Sequence, residues 1–546
     1  MKKCICLLLI LCLAVSCFAG CNFNIVSEED EFEKTPSGPR HREQVQTIDL
    51  NYTMDQDMID SCYAELERFE KLAVAAEDWD VTDASREALE DAVSLLMDQY
   101  WIAYILYCMD ETDETLKTQY LDSIDIITEM EVEYKEMCKR VWLSETPFRD
   151  RIFEDWTQKE IDLMLLYDSQ IAELEKRNEE LTVAFRDLGD EEKETGMIPL
   201  YNEMVRNNNR IAKLYGYDNY YEYAYDVIYQ RDYEFQEIEK LRQYTARYLP
   251  GIFQNAYDSF YEKYYDLNKN KQKSVAQFTY KAYDAMAENY VCLYLADLPD
   301  SAKENMEGMF TNGRVVFAGS TKSYQGAFTT VIGEDPFCYF GPDYDGSETI
   351  IHELGHYYGC LFADMGEQPM DLAETQSQGN EWLFIHFLKS HLPYDEYECI
   401  AENKLYTDLG YIICFVMIDQ FEQMVYTHKN AGNLTLEEYE TLMETVAEDY
   451  GGIDFVTDEI LDVQRYWKMV VLESPVYYIS YAVSGLAAIN LFTAAESDEE
   501  NARQMYMKLI EEPIVEAGFL GNIQNAGLSG PFEETVYEQL VERYAK

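Results

Sequence analysis

The sequence predicts a mainly α-helical protein of at least two lobes with one small β-sheet. Apolar residues recur at three- and four-residue spacing through most of residues 54–265 and again after Trp382, as on the buried face of amphipathic helices. Between residues 314 and 340 the pattern changes to short apolar runs separated by glycine and proline, which is typical of strands. The chain has 546 residues, too many for a single compact core, so two lobes or more are expected.

The first residues have the pattern of an export signal. Two lysines and an apolar run are followed by the sequence FAGC, which resembles the lipobox of bacterial lipoproteins. Residues 1–20 are therefore predicted to be a lipoprotein signal peptide, with a lipid on Cys21 and residues 21–47 as a flexible tether. Phenylalanine stands where the lipobox usually has leucine, and an ordinary secretory peptide is the alternative. The prediction is an exported bacterial lipoprotein anchored to the outer face of the cytoplasmic membrane.

The chain is strongly acidic. Without Lys2 and Lys3, which belong to the signal, 41 of the 43 basic residues remain against 104 acidic ones, a net charge near −63. Such a field repels polyanions, so no nucleic-acid partner is expected.

Long amphipathic helices are predicted on both sides of the glycine-rich segment. Before it, the helical pattern covers 54–71, 85–109, 111–141, 158–188 and 191–215, and after it 408–427, 436–449 and 457–471. We interpret residues 48–200 as an N-terminal helical lobe. The segment between the two sets is predicted to be a short β-meander, with strands near residues 315–317, 327–332 and 337–340.

The motif HELGH carries the strongest chemical signal in the chain. On a helix, His352 and His356 lie one turn apart on the same face, which suits two neighbouring ligands of a tetrahedral zinc ion. Between them, Glu353 is placed to take a proton from a zinc-bound water. The alternative is a helix with two structural histidines.

A glutamate in the next helical segment is the best candidate for a third zinc ligand. Glu374 lies eighteen residues after His356, in a segment that begins near Pro369. Glu381 follows seven residues later, on nearly the same helical face and about 10 Å along the axis. We predict that Glu381 accepts the free N–H of a ligand histidine and so fixes its tautomer.

HELGH followed by ETQSQGNEW resembles the oligoendopeptidase F and thimet oligopeptidase family of zinc peptidases. The resemblance extends loosely to residues 210–226, to GAF at 326–328 and to PVYYISYAVSG at 475–485. It implies that residues 201–546 form the catalytic domain. It also implies two helical lobes around a deep cleft, which restricts substrates to short unfolded peptides.

The same resemblance assigns a role to each motif residue. It implies one Zn²⁺ ion per chain held by His352, His356 and Glu374. Glu353 is then the general base, and Glu381 is the carboxylate behind a ligand histidine. These residue types are all present at the family's spacing.

The resemblance also implies that an edge strand binds substrate. In this family an extended peptide pairs with the strand beside the active-site helix, a use of β-augmentation. Here that strand is Gly326-Ala327-Phe328. The alternative is a purely structural sheet.

The transition-state donors are where the sequence departs from the family pattern. The resemblance places the catalytic tyrosine at Tyr481, with Tyr478 nearby, and a register one helical turn away would give the role to Tyr477. Family members commonly have a histidine some ten to twelve residues earlier, but that position falls at 469–471 and no histidine follows His428. One oxyanion donor is typically worth roughly 10² to 10³ in turnover, so a slow or narrowly specific enzyme is expected. The alternative is that Tyr481 only packs the wall of the cleft.

The sequence therefore predicts a zinc-dependent endopeptidase that hydrolyses short unfolded peptides outside the cytoplasmic membrane. A weakly active or inactive peptide-binding lipoprotein of the same fold is the first alternative, because of the missing histidine. A zinc hydrolase that acts on a non-peptide amide is the second.

Overall fold

The computed structural model describes residues 47–188, 190–261, 263, 290–342, 347–363, 368–451 and 463–544. The predicted signal peptide, Cys21 and the predicted tether up to residue 46 lie outside these ranges, so they stay predictions.

Helices make up most of the described chain. The elements in chain order are α1 (Gln56–Ala75), α2 (Trp79–Met109), α3 (Glu114–Leu143), α4 (Arg149–Ile152), α5 (Gln158–Leu166), α6 (Ser169–Arg186), α7 (Asp190–Leu214), α8 (Tyr220–Tyr223), a π-helix (Ala224–Ile228), α9 (Phe235–Tyr261), α10 (Asp300–Thr311), β1 (Val315–Phe317), β2 (Ala327–Ile332), β3 (Asp335–Phe340), α11 (Ser347–Cys360), α12 (Met370–Leu388), α13 (Tyr394–Thr427), α14 (Leu436–Glu448), α15 (Val463–Val470), α16 (Ile479–Ser497), α17 (Glu499–Glu511), a 3₁₀-helix (Val515–Ala517), α18 (Gly518–Ala526) and α19 (Glu534–Tyr544). The prediction of a mainly α-helical fold with one small sheet is confirmed.

One predicted helix is divided in two. The segment 158–188 forms α5 and α6, because Asp168 begins a new helix by accepting the backbone N–H groups of Gln170 and Ile171 at 2.9 and 3.1 Å. Farther along, α7 runs without a break through residue 200, where the sequence places the boundary between the lobes. The division into an N-terminal lobe and a catalytic domain stays a prediction.

The sheet has the strand order β1-β3-β2, which is not the predicted meander. β2 and β3 form the expected antiparallel hairpin around Gly333, whose φ of +69° glycine adopts without strain. β1, however, pairs with β3 in parallel. The connection over residues 318–326 is bound to the end of α2, where the Tyr324 N–H donates to the Cys108 carbonyl at 2.7 Å. This detour returns the chain on the far side of β3.

Two described helices, α2 and α16, have the length and mean hydropathy that a membrane span requires. In each, however, most of the apolar window is buried within the protein, 67% in α2 and 78% in α16. Burial in the core therefore explains their composition.

Helices α11 and α12 approach each other at backbone contact. A Cβ atom on Gly355 of α11 would lie 2.6 Å from the Ser377 Cα and 2.8 Å from the Gln376 carbonyl oxygen. Real Cβ atoms essentially never approach that closely, so this packing requires glycine at position 355. The contact sets the distance between the two helices that carry the HELGH motif and Glu374.

Gly355→Ala should lower the free energy of unfolding by about 1–3 kcal/mol, because the added methyl group forces α12 away from α11. The matched control is Gly251→Ala in α9, where a Cβ would meet nothing within 4 Å. That variant should raise the free energy of unfolding by about 0.5–1 kcal/mol through helix propensity alone. Urea unfolding followed by circular dichroism measures both. A stabilised Gly355→Ala variant would contradict the close contact.

Candidate active site

Three candidate ligand side chains meet between α11 and α12. The Nε2 atoms of His352 and His356 lie 3.2 Å apart on one face of α11. From α12, the Oε2 atom of Glu374 lies 3.6 Å and 3.5 Å from these two nitrogens. All three side chains are buried, at most 4% exposed as residues. The structure thus brings together the three residues that the sequence proposes as metal ligands.

These separations suit a zinc ion. In a tetrahedral site with ligand bonds of about 2.0–2.1 Å, neighbouring ligand atoms lie roughly 3.3–3.4 Å apart. The three observed separations of 3.2, 3.5 and 3.6 Å lie on either side of that value. Two imidazole nitrogens and one carboxylate oxygen are also a donor set that catalytic zinc sites use, with a fourth position left for water. The side chains present therefore fit Zn²⁺.

Glu381 holds His352 from the side opposite its Nε2 atom. The Nδ1–H group of His352 donates to Glu381 Oε1 at 2.6 Å, which leaves Nε2 as the free electron-pair donor. The other oxygen of Glu381 lies 2.7 Å from Nζ of Lys404 on α13, and Lys404 also contacts Asp408 at 2.9 Å. Sequence reasoning missed Lys404, because nothing in its local pattern indicates a contact with α12.

The carboxylates and imidazoles of the candidate site shift one another's pKa. Burial opposes ionisation of Glu374, but His356 and His352 outweigh it and lower the pKa of this carboxyl. Burial likewise opposes protonation of His352, but the hydrogen bond to Glu381 and the nearby carboxylates raise the pKa of His352 to about 9. The cluster therefore favours positive charge between its carboxylates, which a metal cation would supply.

Glu353 is held from the sheet. The hydroxyl of Thr329, on β2, donates to Glu353 Oε2 at 2.7 Å. Glu353 is only 1% exposed, and this burial raises the pKa of its carboxyl although His356 and His352 lower it. A raised pKa suits a carboxylate that takes up a proton and gives it back. Sequence reasoning missed Thr329, although it directly follows the predicted substrate strand.

The three tyrosines at the start of α16 and directly before it contact different residues. The Tyr477 hydroxyl donates to Oε1 of Glu374 and lies 3.1 Å from the Tyr481 hydroxyl. The ring of Tyr481 lies 6.5 Å from that of His352, measured between centroids. Tyr478 instead packs its ring against Phe415, with the centroids 5.3 Å apart. Tyr477, which sequence reasoning kept only as a shifted register, is thus the tyrosine in contact with a candidate ligand.

The predicted substrate strand lies at the start of β2. Gly326 and Ala327 enter the strand, and β2 pairs with β3 only on one side within the described sheet. Phe328 is 3% exposed and stacks on Tyr339, with the ring centroids 4.9 Å apart. Because side chains alternate along a strand, Phe328 and the next residue, Thr329, point to opposite faces. The side chain of Phe328 therefore faces the core, and substrate pairing along this strand stays a prediction.

Known proteins resemble this chain in shape rather than in sequence. No protein-family model matches the sequence, and no curated protein matches it by sequence. Among solved structures, one assigned as an oligoendopeptidase F from Bacillus anthracis str. Ames has a TM-score of 0.68 and 16% identity, over 91% of this chain and 96% of that one. PZ peptidase A with an inhibitor gives 0.70 and 16%, over 91% and 97%. Another structure assigned as an oligoendopeptidase F gives 0.69 and 15%, over 91% and 97%. The chain therefore has the fold of the oligoendopeptidase F structures over about nine-tenths of its length, in agreement with the resemblance of its motif.

Proposed function

We propose that this protein is a zinc-dependent endopeptidase that hydrolyses short unfolded peptides. The observation that carries the proposal is the meeting of His352, His356 and Glu374 at separations that suit zinc, with Glu353 buried beside them. The peptidase fold supports it independently.

A Zn²⁺ ion held by His352, His356 and Glu374 would supply Lewis acidity to the scissile carbonyl and to the attacking water. The side chains of the chain do the rest. Glu353 takes a proton from that water and delivers it to the leaving nitrogen, while Thr329 keeps the carboxylate oriented. Tyr481 donates its hydroxyl to the oxyanion, and Tyr477 fixes the orientation of Glu374. The edge of β2 pairs with the extended substrate backbone.

Substitutions should separate the metal ligands from the base. Glu374→Ala should lower zinc occupancy, since it removes one of three ligands, whereas Glu353→Gln should keep zinc and lose hydrolysis by about 10² to 10⁴. Glu381→Ala should be intermediate, with about 10- to 100-fold lost in zinc affinity or activity. Metal analysis of the purified proteins and cleavage of a mixed short-peptide library measure both properties. Equal zinc content in all three variants would contradict the assignment.

The role of Thr329 can be isolated with an adjacent control. Thr329→Val removes the hydrogen bond to Glu353 and should lower kcat by about tenfold, because a poorly oriented base transfers protons less efficiently. Thr330→Val is the matched control, since the Thr330 hydroxyl is buried without a hydrogen-bond partner in the described part of the chain. It should leave kcat unchanged. Equal losses in both variants would mean that disturbance of β2, not the hydrogen bond, lowers the rate.

The two site tyrosines should differ in what they change. Tyr481→Phe should lower turnover by about 100-fold with little change in zinc content, because it removes an oxyanion donor. Tyr477→Phe removes the hydrogen bond to Glu374 and should weaken zinc binding by about tenfold or more. Competition with a chelator measures the affinity, and steady-state kinetics measure the turnover. If Tyr477→Phe alone lowers turnover at saturating zinc, the oxyanion donor is Tyr477 instead.

A peptide-binding protein with little turnover is the second candidate. It is favoured by the absence of a histidine at 469–471, where Val470 and Val471 are buried, 2% and 0% exposed. Zinc binding and peptide binding without cleavage of any library member would support it over the enzyme.

We also propose that the protein is exported and anchored through a lipid on Cys21. Cys21→Ala should move it from the membrane fraction to the medium, because a diacylated cysteine buries many methylene groups at about 0.8 kcal/mol each. Immunoblots of both fractions test this. Unchanged partitioning would rule the anchor out.

A further inference from the structure

The backbone directly before Tyr477 is strained. Val476 has a φ of +63°, a region that β-branched residues rarely enter because their side chain crowds the neighbouring peptide groups. Non-glycine residues remain in such a conformation only where the surrounding structure holds them there, and these residues cluster at functional sites. Val476 lies directly before Tyr477, the tyrosine that contacts Glu374, so its conformation affects the candidate site.

Two buried ionisable side chains hold both polar backbone groups of Val476. Its N–H group donates to the two oxygens of Glu422, on α13, at 2.9 and 3.0 Å. Its carbonyl accepts a hydrogen bond from Arg231 at 2.9 Å. Glu422 is 1% exposed and Arg231 is 7% exposed. Two residues distant in sequence thus specify the conformation of a single one.

Arg231 also connects residues 476–477 to α16 and to α12. It also donates to the Tyr477 carbonyl at 3.3 Å and to the Ser480 hydroxyl, in the first turn of α16, at 3.0 Å. Its Nε lies 3.8 Å from Asp371 of α12, three residues before Glu374. The guanidinium also lies over the rings of Tyr225 and Tyr229, 4.2 and 4.4 Å from their centroids. These rings and Asp371 therefore restrict where the guanidinium can lie.

Stability alone does not account for this arrangement. A charged arginine withdrawn from water is expensive unless it is fully paired, and apolar replacements of buried ion pairs are often as stable or more so. A left-handed valine adds to that cost. The arrangement does set the direction of the chain after Val476. Rotating the φ of Val476 to the common negative range would move Tyr477 away from Glu374.

We propose that Arg231 and Glu422 are positioning residues that keep Val476 left-handed, and thereby keep the Tyr477 hydroxyl on Glu374 and the Tyr481 hydroxyl beside it. The inference rests on the proposed function, because both hydroxyls matter to catalysis only in a zinc peptidase. It adds to that function a reason for the strained segment.

A double-mutant cycle tests the proposal. Arg231→Met should lower kcat by about 10- to 100-fold and leave KM within about threefold, because misplaced catalytic groups slow the reaction without removing substrate contacts. Val476→Gly alone should keep kcat within about threefold, since glycine adopts the same φ without strain. Adding Val476→Gly to Arg231→Met should restore kcat at least about tenfold. The lost thermal stability should not be restored, because the buried contacts of Arg231 remain absent.

Arg242→Met is the matched control. Arg242 is also buried, at 6% exposed, but it donates to Asp419 at 2.7 Å and to Tyr221 at 3.1 Å. Within the described part of the chain, no hydrogen bond or ion pair joins Arg242 to residues 474–481. This variant should lose thermal stability like Arg231→Met and keep its kcat. If Arg231→Met does not fold, Glu422→Gln takes its place, because the amide keeps one acceptor for the Val476 N–H and should give a smaller loss with the same rescue.

Hydrogen exchange separates this proposal from the proposed function. In Arg231→Met, but not in Arg242→Met, the amides of residues 474–481 should exchange at least about tenfold faster, whether or not the protein cleaves peptides. If the wild-type protein binds no zinc and cleaves no peptide, the proposed function is wrong. The exchange result then decides whether Arg231 positions residues 476–481. Unchanged exchange, or a kcat loss that Val476→Gly does not relieve, overturns the positioning role.

Discussion

The candidate site depends on the backbone contact between α11 and α12. Two of the proposed ligands lie on α11 and the third on α12, so the distance between these helices sets the size of the metal site. Gly355 allows the close approach, because a Cβ there would collide with the neighbouring backbone. Asn380 reinforces it by donating to the Ile351 carbonyl at 2.7 Å while it accepts from the Tyr294 hydroxyl at 2.7 Å. This backbone contact and the hydrogen bond from His352 to Glu381 therefore both hold α11 against α12.

The same contact creates an electrostatic requirement. It places Glu353, Glu374 and Glu381 near one another at 3% exposure or less, and carboxylates withdrawn from water are stable only when they are paired. Lys404 supplies one positive charge, at 2.7 Å from Glu381. His352 is the second basic group. Burial opposes its protonation, but the hydrogen bond to Glu381 and the nearby carboxylates favour it and raise the pKa of His352 to about 9. A divalent cation bound at the imidazole nitrogens would take over that second charge, so the fold itself favours a metal at this position.

Sequence patterns predicted the site where its geometry lies within one helix, and missed it where elements meet. The spacing of HELGH places both histidines on one helical face. Glu374 was proposed from its position in the next helical segment and from the family resemblance. By contrast, Thr329 and Glu353 are 24 residues apart on a strand and a helix, and periodicity does not say which strand residue faces which helix turn. Tyr477 was predicted only as the alternative register, for a related reason. Its direction depends on where α16 begins, at Ile479, and on a left-handed valine that no propensity predicts. The sheet order was wrong because a loop bound to α2 decided it.

The absence of a histidine at 469–471 makes the placement of the tyrosines after Val476 more important. An oxyanion donor acts through a hydrogen bond that must already point to where charge develops, and its contribution falls steeply with misplacement. A site with fewer donors therefore depends more strongly on the position of each one that remains. In this chain Tyr481 stands next to Tyr477, and the segment before them is held by Glu422 and Arg231 around a left-handed Val476. In the proposed peptidase, rigid placement of Tyr477 and Tyr481 is the physical means of keeping activity with a shorter donor set.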